Sequence, residues 1–272
     1  MSHPQIAIFA RVADGNAKPV RAIAGQKSLV SRSTHGIAYD EVRDVFMVPQ
    51  MYAQAILVYR GDADGEVAPI RIIQGPKTQL KNPDHLAFDS AHNEIYVPQG
   101  DKILVLPGDG NGDVAPVRVL QGPDTELTGG SVGVDPVNNL LIAVGNDRAL
   151  GRGRTRLLIY DRTASGNTKP KGIIGGPHSE LIGTQGPFAV YPPCQEVVIG
   201  EYGPGELGTE ESYFGVWSLR KLGDAPPLWK FGGPHGLVRQ PRGVTLDPAH
   251  KSVIVTDKRV NAVLTWYFPE MF

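Results

Sequence analysis

Short apolar runs of four to six residues recur along the whole chain, each broken by Gly, Pro, Asp or Asn. In the second repeat they are HLAFD, EIYVP, KILVLP and VRVLQG. Runs of this length, rich in β-branched and aromatic residues and bounded by turn formers, predict β-strands. No segment sustains a 3.6-residue apolar period over helical length, so no substantial helix is predicted.

The runs belong to a tandem repeat. A linker recurs as ADGNAKPVR (13–21), ADGEVAPIR (63–71), GNGDVAPVR (110–118), ASGNTKPKG (164–172) and, degenerate, LGDAPPLWK (222–230). Each copy precedes a β-like run and a glycine: AIAGQKSL, IIQGPKTQL, VLQGPDTEL, IIGGPHSEL and KFGGPHGLV. An alternating run then ends at Asp40, Asp89, Asp135, Tyr191 or Asp247, with spacings of 49, 46, 56 and 56 residues. Self-similarity at this period means a repeat architecture. Four strands per repeat, arranged radially, is the propeller solution, which leaves only short protected sheet edges. The expected fold is therefore all-β: one domain over residues 1–272, a five-bladed β-propeller with four antiparallel strands, a to d, in each blade.

Strand a occurs five times, but the c-type run occurs six times: IAIFA, AILVY, ILVL, LLIY, FGVW and VLTW. The chain starts with c and d runs and ends with a, b and c. The N-terminal run Ile6–Gly25 is thus expected to complete the C-terminal blade that contains Val263–Phe268, leaving one c-type run unplaced.

Asn82-Pro83-Asp84-His85-Leu86-Ala87-Phe88-Asp89, followed by Asn93-Glu94-Ile95-Tyr96-Val97, resembles the blade pattern of NHL repeats. Gln240-Pro241-Arg242-Gly243-Val244-Thr245-Leu246-Asp247 resembles it too. The resemblance covers nearly the whole chain and speaks for fold rather than chemistry. Among NHL-like proteins, the peptidyl amidoglycolate lyases place zinc-binding histidines at the P-x-G position, and His35 stands there in this chain. The other such positions hold Asp84, Gly130, Gly186 and Arg242, so a three-histidine zinc site is not implied. Streptogramin lyases share the repeat pattern and use axial His and Glu with a divalent ion, but no residue-by-residue match to them can be drawn.

Composition narrows the partners. A net charge of -1 gives no excess of either sign, which argues against nucleic acid or an anionic membrane as partner. No apolar stretch reaches the length of a membrane span. The single cysteine, Cys194, rules out an intrachain disulfide. The N-terminus lacks a basic stretch followed by an apolar one, so a cytoplasmic location is the simplest expectation. Gly (33) and Pro (23) suit a chain of many tight turns.

Strand polarity puts the start of strand a and the end of strand b at one end of each blade. Alignment then defines two sets of positions. The strand-a set is His35, Asp84, Gly130, Gly186 and Arg242; the strand-b set is Gln50, Gln99, Gly145, Glu201 and Asp257. His85, Ser131, Asn146, Tyr202 and Lys258 are their neighbours. The strand cores repeat while these ends diverge, and convergent polar groups in a concavity are the default site. A narrow channel filled by polar side chains and water is the competing reading.

As a site, the set offers His35 or Glu201 as general base and Arg242 as an anion holder. Gln50, Asp84, His85, Gln99, Asn146, Tyr202 and Asp257 would contact substrate. His35, Asp84 and Glu201 could hold a divalent metal ion, the one cofactor considered. The expected partner is a small molecule, and the reaction a lyase, hydrolase or isomerase step. The alternative is a non-catalytic NHL-type scaffold that binds a ligand or a protein.

Two b–c connections are long, Gly145–Thr155 and Glu201–Ser212. One carries Arg148, Arg152 and Arg154 and the other Glu206, Glu210 and Glu211, and together the loops are expected to wall the site. Cys194 in its YPPCQE turn is not expected to be a nucleophile. His178 and His235 occupy equivalent turns (GGPHSEL, GGPHGLV) and are expected to be structural. Trp217, Trp229 and Trp266 lie in or beside c and d runs and should pack between blades.

Overall fold

The computed structural model describes residues 4–32, 34–147, 154–183, 186–202, 212–233 and 236–272. The expected runs form strands in chain order. A hairpin comes first, β1 (Gln5–Ile8) and β2 (Arg21–Ala24). The first blade holds β3 (Ala38–Asp40), β4 (Val45–Gln50), β5 (Ala55–Arg60) and β6 (Arg71–Gln74). The second holds β7 (Ala87–Asp89), β8 (Glu94–Gln99), β9 (Lys102–Pro107) and β10 (Arg118–Gln121). The third holds β11 (Val132–Asp135), β12 (Leu140–Asn146), β13 (Thr155–Asp161) and β14 (Gly172–Ile174). The fourth holds β15 (Ala189–Tyr191), β16 (Glu196–Glu201), β17 (Tyr213–Ser218) and β18 (Trp229–Phe231). The fifth holds β19 (Pro241–Asp247), β20 (Ser252–Asp257) and β21 (Ala262–Tyr267).

Hydrogen bonding follows chain order within each sheet, giving a–b–c–d in four blades and a–b–c in the fifth. The sixth c-type run is β1, which pairs with the d-type strand β2 in a two-stranded sheet of their own, Ile6 opposite Ile23. Helix among the described residues is limited to three-residue 3-10 turns such as Pro76–Thr78.

The chain divides into two compact units. One is Met1–Val97 with Val105–Val117, the other Pro98–Leu104 with Arg118–Phe272, and the division runs through β8 and β9. In the first unit, Ile23 packs on Phe46, Val48, Leu57 and Tyr59, with the Phe46 and Tyr59 rings stacked at 5.3 Å. In the second, Leu140, Ile142, Leu157, Ile174, Phe188, Val197, Ile199 and Trp217 form one core. Burying each such side chain contributes about 1.5–3 kcal/mol.

The repeated acid at the end of strand a is a turn cap. Asp40, Asp89 and Asp135 are buried, and their carboxylates accept from the backbone N–H groups of Val42, His92 and Asn138. The linker is a fastening between successive blades. Gly65 N–H donates to Ala22 at 2.8 Å, Gly112 to Ile72 at 2.7 Å, Gly166 to Val119 at 2.7 Å and Gly223 to Ile173 at 2.7 Å. Each linker glycine thereby forms a parallel bridge to the preceding d strand, at Ile23, Ile73, Leu120 and Ile174.

The residue after that glycine completes the fastening. Glu66, Asp113, Asn167 and Asp224 accept from the backbone N–H of Lys27, Lys77, Asp124 and His178 in the turn that follows the preceding d strand. This close approach is why the turn opens on glycine. A Cβ at Gly75, whose φ is +135°, would lie 2.4 Å from Asp113 Oδ1. A Ser or Thr three residues after the glycine returns its hydroxyl to the glycine carbonyl, as Thr78 does to Gly75 at 2.6 Å. Tyr59, Tyr160 and Trp217 on c strands then donate to the carbonyls of Ser28, Thr125 and Ser179.

Candidate functional site

In the first unit the structure joins His35 and Asp84. Their strand-a segments approach so closely that a Cβ on Gly36 would lie 3.0 Å from the Asp84 carbonyl oxygen. His35 Nδ1 and Asp84 Oδ1 are 2.6 Å apart, and His85 Nε2 lies 3.5 Å from Asp84 Oδ2. His35 is exposed, Asp84 and His85 half-buried. An aspartate on Nδ1 fixes the imidazole tautomer and orientation, the arrangement a general base requires.

Three other Asp–His pairs among the described residues do structural work. His92–Asp89 and His250–Asp247 cap a–b turns, and His178–Asp224, at 2.6 Å, belongs to a linker fastening. His35–Asp84 differs in joining the strand-a starts of two blades.

Gln50 has another task. It is buried, accepts from Ser31 Oγ at 2.5 Å and donates to Thr34 Oγ1 at 2.6 Å. The end of strand b is thus tied to the segment leading into strand a of the same blade. The second unit repeats this. Glu201 is buried and its Oε2 accepts from Ile182 N–H at 2.7 Å. Asp257 is buried and accepts four backbone N–H groups: Arg239 and Gln240 at 2.7 Å on Oδ2, Arg259 at 2.9 Å and Val260 at 3.1 Å on Oδ1. In the third blade Asn146 sits exposed, and its backbone N–H donates to Thr128 Oγ1 at 2.6 Å. Gln99 is half-buried at the end of β8. Gln50, Glu201 and Asp257 thus differ in residue type, and each meets a different partner in its own blade.

The second unit also gathers Glu201, Tyr202, Arg242 and Asp257. Burial raises the Tyr202 phenol above its ordinary range; the Arg242 charge and a hydrogen bond from Gln240 lower it, while Asp257 and Glu201 raise it further. Arg242 is half-buried and forms no hydrogen bond or ion pair among the described residues. Its backbone carbonyl is pressed against Gly186, where a Cβ would lie 1.9 Å away. Ser131 Oγ donates to the Gly186 carbonyl at 2.5 Å, so the third, fourth and fifth strand-a starts follow one another closely.

Gln240 is the group that alignment missed. It lies two residues before Arg242, where the other repeat copies carry Ser33, Asn82, Thr128 and Thr184, and only its contact with Tyr202 marks it. Among the described residues, no group of three or more His, Cys, Asp or Glu side chains is placed to hold a metal ion. His35 and Asp84 meet each other, while Glu201 serves Ile182. Arg148, Arg152, Glu206, Glu210, Glu211 and His235 lie outside the described residues, as does most of both long loops. Arg154 bridges to Ile182.

No family model matches the chain, and no curated protein does. Among solved structures it is similar to Kuenenia stuttgartiensis hydrazine synthase, with a TM-score of 0.56 at 10% identity over 91% of this chain and 58% of that one. A chain of a nidogen/laminin complex gives 0.56 at 16% identity over 99% and 92%. The β-propeller domain of Myceliophteria thermophila Cps50 (Swd1) gives 0.53 at 11% identity over 85% and 63%. The chain thus spans less than two thirds of the hydrazine synthase and Swd1 chains. Such likeness shows the fold alone. Blades and likeness together define the class: a five-bladed β-propeller.

Proposed function

We propose that this chain is an NHL-type propeller that binds a small anionic molecule at the strand-a starts of its later blades, with Arg242 holding the carboxylate or phosphate. One observation carries the reading. Arg242 is half-buried and forms no ion pair among the described residues, beside the buried Tyr202 hydroxyl and the Gln240 amide. A partly desolvated guanidinium costs free energy unless something pairs with it, and its planar fork suits an oxyanion. Glu201 and Asp257 are near enough to influence Tyr202; Glu201 Oε2 accepts from Ile182 N–H, and both Asp257 oxygens accept from backbone amides.

Titration calorimetry with citrate and inorganic phosphate tests this. The wild-type chain should bind one of the two, and Arg242→Gln should weaken that binding at least tenfold. Failure of both anions to bind, or equal binding by the variant, removes the proposal.

A catalytic reading, of the lyase, hydrolase or isomerase kind, rests on the separate His35–Asp84 pair at 2.6 Å. In it, Asp84 holds His35 by Nδ1 and Nε2 takes the proton. His35→Gln should then abolish turnover of any substrate found, and Asp84→Asn should reduce it while shifting the pH profile. Full turnover by His35→Gln would end that reading.

A further inference from the structure

We infer that the anion held by Arg242 is a carboxylate rather than a phosphate, and that the Tyr202 hydroxyl is the second donor that selects it; this rests on the anion-binding reading above. Tyr202, Gln240 and Arg242 lie where the end of β16 packs on the start of β19. A Cβ on Gly200 would lie 2.7 Å from Pro241 Cβ. Pro241 in turn stands opposite Asp257, the last residue of β20.

Backbone hydrogen bonds fix the frame around the hydroxyl. Gln240 N–H donates to Asp257 Oδ2 at 2.7 Å, and the Gln240 carbonyl accepts from Lys258 N–H at 2.9 Å. Ser212 is buried, with its Oγ 2.8 Å from the Arg239 carbonyl and 3.3 Å from the Tyr202 carbonyl, which ties the two segments together.

Tyr202 is 3% exposed, and a hydroxyl so buried needs partners other than bulk water. The Gln240 amide donates to its oxygen. A phenol has one proton of its own, which is then left to donate elsewhere. Among the described residues no acceptor takes it. An oxyanion shared with Arg242 would receive the guanidinium fork and this O–H together.

Charge and donor number then discriminate between oxyanions. Glu201, fully buried, offsets the Arg242 charge, and Asp257 is served by its four backbone N–H groups. Arg239 donates to the carbonyls of Gly236 and Val238, while Lys258 and Arg259 are exposed, where water and salt screen them. The cluster thus has no surplus positive charge, so repulsion grows with every charge a ligand brings. A carboxylate brings one charge on two oxygens, which the fork and one hydroxyl can satisfy. A phosphate group brings about 1.5–2 charges and at least three acceptor oxygens, more than these donors serve.

Calorimetric titration of the full chain with citrate and with inorganic phosphate at pH 8 tests this. Citrate should bind at least tenfold more tightly than phosphate. Tyr202→Phe should weaken citrate at least tenfold and change phosphate little, so that the preference collapses; circular dichroism checks that the variant is folded, and the wild-type preference needs no variant. Phosphate bound as tightly as citrate or more so, or citrate bound undiminished by folded Tyr202→Phe while Arg242→Gln weakens it, would overturn the inference and leave the anion site standing. Binding of neither anion removes both.

Discussion

Asp257→Asn distinguishes a brace from a binding group. The carboxylate of Asp257 accepts four backbone N–H groups, two on each oxygen, at 2.7–3.1 Å. Asparagine keeps the shape but only one acceptor oxygen. Two of the four amides would then face an NH2 group that can itself only donate. A hydrogen bond to a charged group contributes about 1.5–3 kcal/mol, so losing two costs about 3 kcal/mol or more. For a protein of this size that is a fall in melting temperature of about 6–12 °C. Differential scanning calorimetry with a parallel urea titration would measure it. Anion binding at Arg242, assayed at a temperature where the variant is folded, should change little. A variant that melts within about 1 °C of wild type yet loses anion binding would refute the bracing role and return Asp257 to the ligand.

Gly186→Ala should be among the most harmful single changes. Its φ of +88° and the 1.9 Å approach to the Arg242 carbonyl leave no room for a methyl group, and a loss of about 3 kcal/mol in urea unfolding is expected. Alkaline pH should destabilise the chain through buried phenols. Burial raises the Tyr59 pKa to about 12 against an unfolded value near 10, so folding favours the neutral form. That contribution is whole below pH 10 and is lost between about pH 10 and 12. Absorbance at 295 nm should therefore show delayed ionisation in step with falling unfolding free energy. Ionisation of all tyrosines near pH 10 without loss of stability would contradict it.

The strand runs, the fivefold repeat and the absence of long helix were legible because period-two patterning and turn residues are local properties of the sequence. The structural role expected of His178 is likewise met, in its fastening to Asp224. What the sequence hid were the partners of polar groups. Gln50, Glu201 and Asp257 read as divergent and therefore functional, because alignment compares each with its copies and not with the loop it touches. The fastening made by the linker was hidden for the same reason: its Asp-Gly and Asn-Gly look local, while the hydrogen-bond partners of Gly65 and Glu66, Ala22 and Lys27, lie in the preceding repeat. The sixth c-type run was equally unplaceable, since a run of strand-like residues does not state which strand it will pair with; it is β1, and it pairs with β2.

The linker fastening bears on where this chain could be cut and rejoined. By appearance the glycine- and proline-rich linkers are the natural places for new termini or an inserted domain. Opening one there would release the d strand of the blade before it, so damage would appear one blade upstream of the incision. The a–b turns, such as Ser90–Asn93, join neighbours within a single sheet and hold their own ends through Asp89. A permuted or split version of the protein should tolerate breaks in those turns and fail at the linkers.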